Sequence, residues 1–167
     1  MHPSMIFKNT ISDTVMTTKL RKLTPDDVEL FDHARNLLES TFDPAIHQVA
    51  AALRTSTGKI YLGVHLGSRR INICAESSAI ANATMAHDLD IRTMVAVCKD
   101  ESGKIVVTNP CGVCRELMTT YGPNTDVIVD IQGEIFKVSA PELMPNPWMF
   151  PHENNWSLND PIAQEEK

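Results

Sequence analysis

A chain of 167 residues, 43% hydrophobic and 22% charged, has the size and make-up of one globular domain with a substantial core. Its net charge of −6 argues against a non-specific grip on polynucleotide, which needs a basic surface, and leaves a small molecule as the better partner. No stretch approaches the apolar length of a membrane span, and the first residues lack the apolar centre of a secretory signal. A cytoplasmic location is therefore expected, where the four cysteines stay reduced and serve metal binding or packing rather than disulfides.

Residues 1–20 are polar and without period, and are expected to form a disordered N-terminal extension. Initiation at Met1 and at Met16 both stay open. The structured domain is expected over 21–150, with an irregular tail over 151–167. Thr24-Pro25-Asp26-Asp27 is a helix start: a hydroxyl cap, proline at the first helical position, and acids where the helix dipole favours them. Val28, Phe31, Ala34, Arg35, Leu37 and Leu38 continue it at helical spacing. His47 to Thr55 reads as a strand, Ser56 to Lys59 as a turn and Lys59 to Leu66 as the returning strand of a hairpin. Glu76 to His87 reads as a helix that begins at a cysteine. Ile91 to Cys98 is a nearly continuous apolar run, the pattern of a strand buried on both faces. Asp100 to Gly103 turns it into Lys104 to Thr108. A helix over Cys114 to Tyr121, a break at Gly122-Pro123-Asn124, a buried strand over Thr125 to Ile131 and an added strand over Glu134 to Val138 complete the series. Helices alternating with strands in this order give a three-layer α/β/α domain on a central mixed sheet of about five strands.

Chemistry concentrates in Cys74-Ala75-Glu76 and Pro110-Cys111-Gly112-Val113-Cys114. Three thiols are one ligand short of a closed structural zinc site and match a catalytic one, in which water takes the remaining position. Glu76 then stands ready to move protons for that water, and the constellation suggests hydrolytic removal of an amino group from a nucleobase. Both segments fall at expected helix starts, where unpaired N–H groups and the helix dipole favour thiolate, and Arg115 adds positive charge beside Cys114. A closed four-cysteine site would recruit Cys98, but that residue ends a buried run, where a lone cysteine acts as a small hydrophobe.

These segments, with Gln48 to Leu53, Gly63-Val64-His65, Arg115 and Glu142-Leu143-Met144-Pro145, are collinear with a known pattern. Over about residues 24–148 the chain resembles the cytidine deaminase family, in particular its small branch with three cysteine ligands, which includes cytidine and blasticidin-S deaminases. The resemblance implies zinc held by Cys74, Cys111 and Cys114, hydroxide supplied at the zinc as nucleophile, Glu76 as proton shuttle, and a role in pyrimidine salvage. It also implies a homotetramer, or a homodimer, in which one subunit helps to close another's pocket.

On the substrate side the resemblance implies that Ala75 N–H and the carbonyl of Thr108 or Asn109 read the base, and that Trp148 stacks on it, with Phe150 a weaker choice. The cytidine-specific relatives bind ribose with an asparagine and, two residues on, a glutamate. Here those positions are His65 and Gly67, and His47 replaces a phenylalanine. Ser68-Arg69-Arg70 offers guanidinium groups that would suit a carboxylate or phosphate. Three readings follow: a deaminase of cytidine-type nucleosides, a deaminase of blasticidin-S-like aminonucleosides, and a zinc-bearing binding protein without turnover, against which the intact Glu76 speaks.

Overall fold

The computed structural model describes residues 18–150. The expected extension up to residue 17, the Met16 start and the tail over 151–167 lie outside the described residues. Helix α1 (Pro25–Thr41) begins where the cap and proline place it, and the Asp27 carboxylate accepts both the Thr24 N–H at 2.6 Å and the Thr24 hydroxyl at 2.8 Å. Its buried stripe is Leu30, Ala34 and Leu38. Val28, expected on the apolar face, is exposed, because two helical steps turn it about 200° away from Leu30.

Strands β1 (Val49–Thr55) and β2 (Ile60–Val64) form the expected hairpin, with Ala50 opposite Val64 and Arg54 opposite Ile60. The first strand starts two residues later than expected, since His47 is occupied in closing a turn on Asp43. The returning strand also stops early. Beyond His65, Leu66–Gly67 (β3) pairs with Asn72–Ile73 (β4) in a separate two-stranded ribbon. Helix α2 (Ala75–Met85), strand β5 (Ile91–Lys99), strand β6 (Ile105–Thr108) and helix α3 (Gly112–Tyr121) follow, then β7 (Asp126–Ile131) and β8 (Glu134–Ser139).

The main sheet runs in the order β2-β1-β5-β7-β8 and is mixed, since β5 and β7 are parallel and the other pairs antiparallel. These five strands are the expected central sheet, and β6 joins it off this path. β5 pairs with β7 only at Thr93 and Met94, and β6 then takes over that edge from Ala96 to Lys99. The two-residue period of β1 sorts the layers. Ala50 and Ala52 lie in one cluster with Leu30, Ala34 and Leu38 of α1, whereas Ala51 and Leu53 lie in the other with Ala75, Ala79 and Ala83 of α2 and Met118 of α3. The small alanines let helices close on both faces.

Gly63 has no room for a side chain. A Cβ there would lie 2.9 Å from Ala79 Cα and nearer still to Ala75 O and Ala79 N. β2 therefore rests directly on the backbone of the first turns of α2. Among the described residues no helix is long and apolar enough to cross a membrane.

Candidate metal centre and active site

Cys74 and Cys111 are the N-cap residues of α2 and α3, both in extended conformation, and Cys114 lies one turn into α3. The sheet brings these two helix starts together. Cys74 Sγ is 3.5 Å from Cys111 Sγ, and Cys111 Sγ is 3.7 Å from Cys114 Sγ, so that all three sulfurs lie within 4.8 Å of one another. A tetrahedral zinc with bonds of about 2.3 Å sets its sulfurs about 3.8 Å apart, so the donor set fits that ion in spacing and in chemistry. Cys98, on β5, is outside the cluster. Burial is graded across the site: Cys114 is buried, Cys74 half-buried and Cys111 exposed, which leaves the group open to solvent on the Cys111 side.

Glu76, in the first turn of α2, is only 5% exposed. Burial pushes its carboxyl above the usual carboxylate range, with its own N–H and the Cys114 thiol opposing. The sulfurs do not share one direction. Cys111 is held below an ordinary thiol: burial raises it, but donation from the Cys114 and Val113 N–H groups and from the neighbouring thiols outweighs that. Cys114 is pushed far up by burial first, then by the charges of Glu76, Cys74 and Cys111. Cys74 is raised by burial, by its hydrogen bond with Cys111, and by the charges of Cys111 and Glu76. The N–H groups of the α3 start are among the causes that lower Cys111. Three crowded sulfurs and a carboxylate are an arrangement that a divalent cation relieves, releasing protons as it binds.

A ring of contacts holds this group. The Ser78 hydroxyl donates to Val64 O at 3.0 Å and lies 3.4 Å from Cys74 O, tying the end of β2 to the start of α2. His65 is joined to the same region through Asn72, two residues before Cys74. The Gln48 N–H reaches His65 Nδ1 at 3.4 Å, so Nε2 is the donor to Asn72 Oδ1 at 3.1 Å. His47 Nδ1 donates to His65 O at 2.8 Å. Around Gly67 the space is taken: a Cβ would sit 3.1 Å from His65 Cε1 and 3.3 Å from Ala45 O. A side chain at position 67 would therefore need the His65 ring or the backbone of residues 45–46 to give way.

Of the other residues singled out in the sequence, Ala75 is fully buried beneath the site, and Arg69 and Arg70 are exposed at the tip of the β3–β4 ribbon. Trp148 is 69% exposed, with its ring edge-on to Phe150 at 4.7 Å. Arg115 is directed at backbone: Nε donates to Pro110 O at 2.9 Å and Nη1 to Leu143 O at 3.3 Å. Asn109, expected to present a carbonyl, also uses its side chain, in two hydrogen bonds to the backbone of Asp130. Ser78, Asn72 and Asp130 carried no sequence signal, because each acts through a partner that only the fold supplies.

The pattern described as the cytidine and deoxycytidylate deaminase zinc-binding region matches residues 25–130. The chain is 35% identical over 133 residues to the blasticidin-S deaminase of Bacillus cereus, covering 76% of this chain and 95% of that protein. It is 32% identical over 117 residues to a probable cytidine deaminase of Dictyostelium discoideum, covering 68% and 78%. Among solved structures, the cytidine deaminase of Burkholderia pseudomallei superposes with a TM-score of 0.62 at 26% identity, over 75% of this chain and all of that one.

Proposed function

This chain belongs to the cytidine and deoxycytidylate deaminase family, and we propose that it removes the exocyclic amino group of a cytidine-type nucleoside by hydrolysis, with Glu76 moving the protons. It is a hydrolase of C–N bonds in cytosine-type substrates. One observation carries the catalytic reading: three sulfurs at zinc-compatible spacing on two facing helix starts, with a buried carboxyl two residues beyond the first.

Cys74, Cys111 and Cys114 would hold the zinc, which when bound lowers the pKa of water toward ~7 and so supplies a nucleophile at neutral pH. Glu76 is fixed to the helix turn that carries Cys74. Its carboxylate would take a proton from the attacking water and pass it to the ring nitrogen, then carry the hydroxyl proton of the adduct to the departing ammonia, and burial, which raises its pKa, makes it a stronger proton acceptor. Ala75 N–H and the Asn109 carbonyl would orient the base by its polar edge. Pro110 keeps Asn109 extended and so aims that carbonyl. His65 would meet the sugar.

A second reading, deamination of a blasticidin-S-like aminonucleoside, is favoured by Gly67, which offers no acid where cytidine-specific relatives bind ribose. The two exposed arginines of the ribbon tip would suit a carboxylate on such a substrate. Ammonia release from cytidine, cytidine monophosphate and blasticidin S, by wild type and Arg69→Ala, separates the readings. Turnover of cytidine supports the first and exclusive turnover of blasticidin S the second. A zinc-loaded protein that releases ammonia from none of the three overturns both. Size-exclusion chromatography with light scattering tests the homotetramer or homodimer that belongs to the same proposal.

A further inference from the structure

Packing fixes two of the three sulfurs but not the third. Cys114 is buried inside a helix and Cys74 is half-buried beside α2, yet Cys111 is exposed. Its neighbours give it no wall: Val113 is 65% exposed, and a Cβ on Gly112 would meet nothing within 4 Å. Something other than side-chain burial must hold Cys111 in reach of Cys74.

On one side its own helix holds it, through the Cys114 and Val113 N–H groups and the Arg115 N–H on Cys111 O at 3.0 Å, and on the other the Asn109 side chain does. Its Nδ2 donates to Asp130 O at 2.8 Å, and its Oδ1 accepts the Asp130 N–H at 2.8 Å. Asp130 lies on β7 beyond the short stretch that pairs with β5, and β6 ends at Thr108, one residue before Asn109. The carboxamide therefore ties the end of β6, a strand paired with β5, to the neighbouring β7. An amide head offers one donor and one acceptor side by side, the same pair that a peptide presents, so both Asp130 groups are satisfied at once. Next in the chain, Pro110 has no N–H and a fixed φ, and its carbonyl is held by Arg115. The segment that delivers Cys111 is thus pinned to the sheet by Asn109 and to α3 by Arg115.

We propose that Asn109 is a positioning residue: its side-chain amide, docked on the backbone of Asp130, sets the distance of the exposed Cys111 from Cys74 and so the metal affinity of the site. This rests on the zinc deaminase reading above, and it concerns the side chain, whereas base recognition concerns the Asn109 carbonyl.

The test uses full-length apo-protein titrated with cobalt(II), followed by the thiolate-to-cobalt absorption band, and zinc(II) affinity measured by chelator competition. Asn109→Ala is expected to bind zinc about 10–100-fold more weakly, the usual effect of losing a group that orients a ligand, and to show an altered cobalt band. Asn109→Asp keeps the acceptor but sets a carboxylate oxygen against Asp130 O, and is expected to lose at least as much. Glu101→Ala, on the exposed β5–β6 turn, is expected to leave both readouts unchanged. Wild-type zinc affinity and a wild-type cobalt band in N109A would overturn the positioning role while leaving the zinc reading intact. Absence of any thiolate band from the wild type would remove the zinc reading and this proposal together. Should N109A fail to fold, N109D is judged by the same criterion.

Discussion

Gly63→Ala adds one methyl group at the contact between β2 and α2. The new Cβ would lie 2.9 Å from Ala79 Cα, and the Ala75 O and Ala79 N contacts are tighter again, where Cβ atoms essentially never approach within 3.0 Å. All three neighbours are main-chain atoms, so no rotamer change relieves the clash and β2 and α2 must separate by most of an ångström. Overpacking typically costs 1–3 kcal/mol, and a rigid backbone neighbour places this variant at the upper end, about 3 kcal/mol, which for a chain of this size is a fall in Tm of roughly 6–12 °C. The moved element is the first turn of α2, which carries Ala75 and Glu76 and is capped by Cys74. Cys111 and Cys114 share α3 and should keep their spacing, so the Cys74 side of the group opens selectively. A displacement of about 1 Å at a catalytic group costs on the order of 100-fold in rate. Thermal unfolding, chelator competition for zinc and ammonia release measure the three consequences. G63A with the wild-type Tm and wild-type turnover would refute the claim that this strand fixes the site through backbone contact.

Three further expectations test other parts of the structure. Glu76→Gln should retain one zinc per chain by metal analysis and lose about 10²–10⁴-fold in ammonia release, the span of general acid–base catalysis; near wild-type turnover would remove Glu76 from proton transfer. Lys137 Nζ lies 2.8 Å from Asp27 Oδ2, with both side chains largely buried. Burial would raise the Asp27 carboxyl, but donation from Lys137 and Thr24 outweighs it and holds the group below its ordinary value. Its stabilising contribution is therefore complete above the unfolded pKa of about 3.9 and is lost as pH falls through the folded one. Asp27→Asn should cost about 2–3 kcal/mol at neutral pH in urea unfolding and flatten the loss of stability below about pH 4, whereas an unchanged acid limb would show that the pair contributes nothing. Gln132 and Gly133, both at positive φ, link β7 to β8 in a two-residue turn. Gln132→Asn should stabilise by about 0.5 kcal/mol, read as a higher urea midpoint, because asparagine tolerates that conformation better.

What could be read from residues alone was what local chemistry forces. Proline and threonine at 24–25 start α1, and the two cysteine segments announce a metal-sized group, since ligand type and short spacing are written directly in the chain. The alternation of Ala50 to Leu53 carries no visible contrast between faces, because all four residues are apolar and the sheet is covered on both sides. Their assignment to opposite layers needed the fold. The β3–β4 ribbon was missed because two-residue strands have no period to detect. Asn109 was expected to use its carbonyl alone, since its side-chain partner is 21 residues away and is backbone, which leaves no mark in composition.

Strand β6 enters the sheet partway across its width, as a short arm between a turn at Asp100–Gly103 and the approach to Cys111. The two ends of that arm differ in what they tolerate. At the outer end, Asp100 and Gly103 close an exposed turn, so extra residues spliced between Ser102 and Gly103 would leave Thr108 in its place. Within the arm, one inserted residue would slip the pairing of Val106 to Thr108, exchange inward for outward side chains and carry Cys111 out of reach of its partners. A reporter or affinity tag can therefore be grafted at the tip, while the arm itself keeps a fixed count of residues.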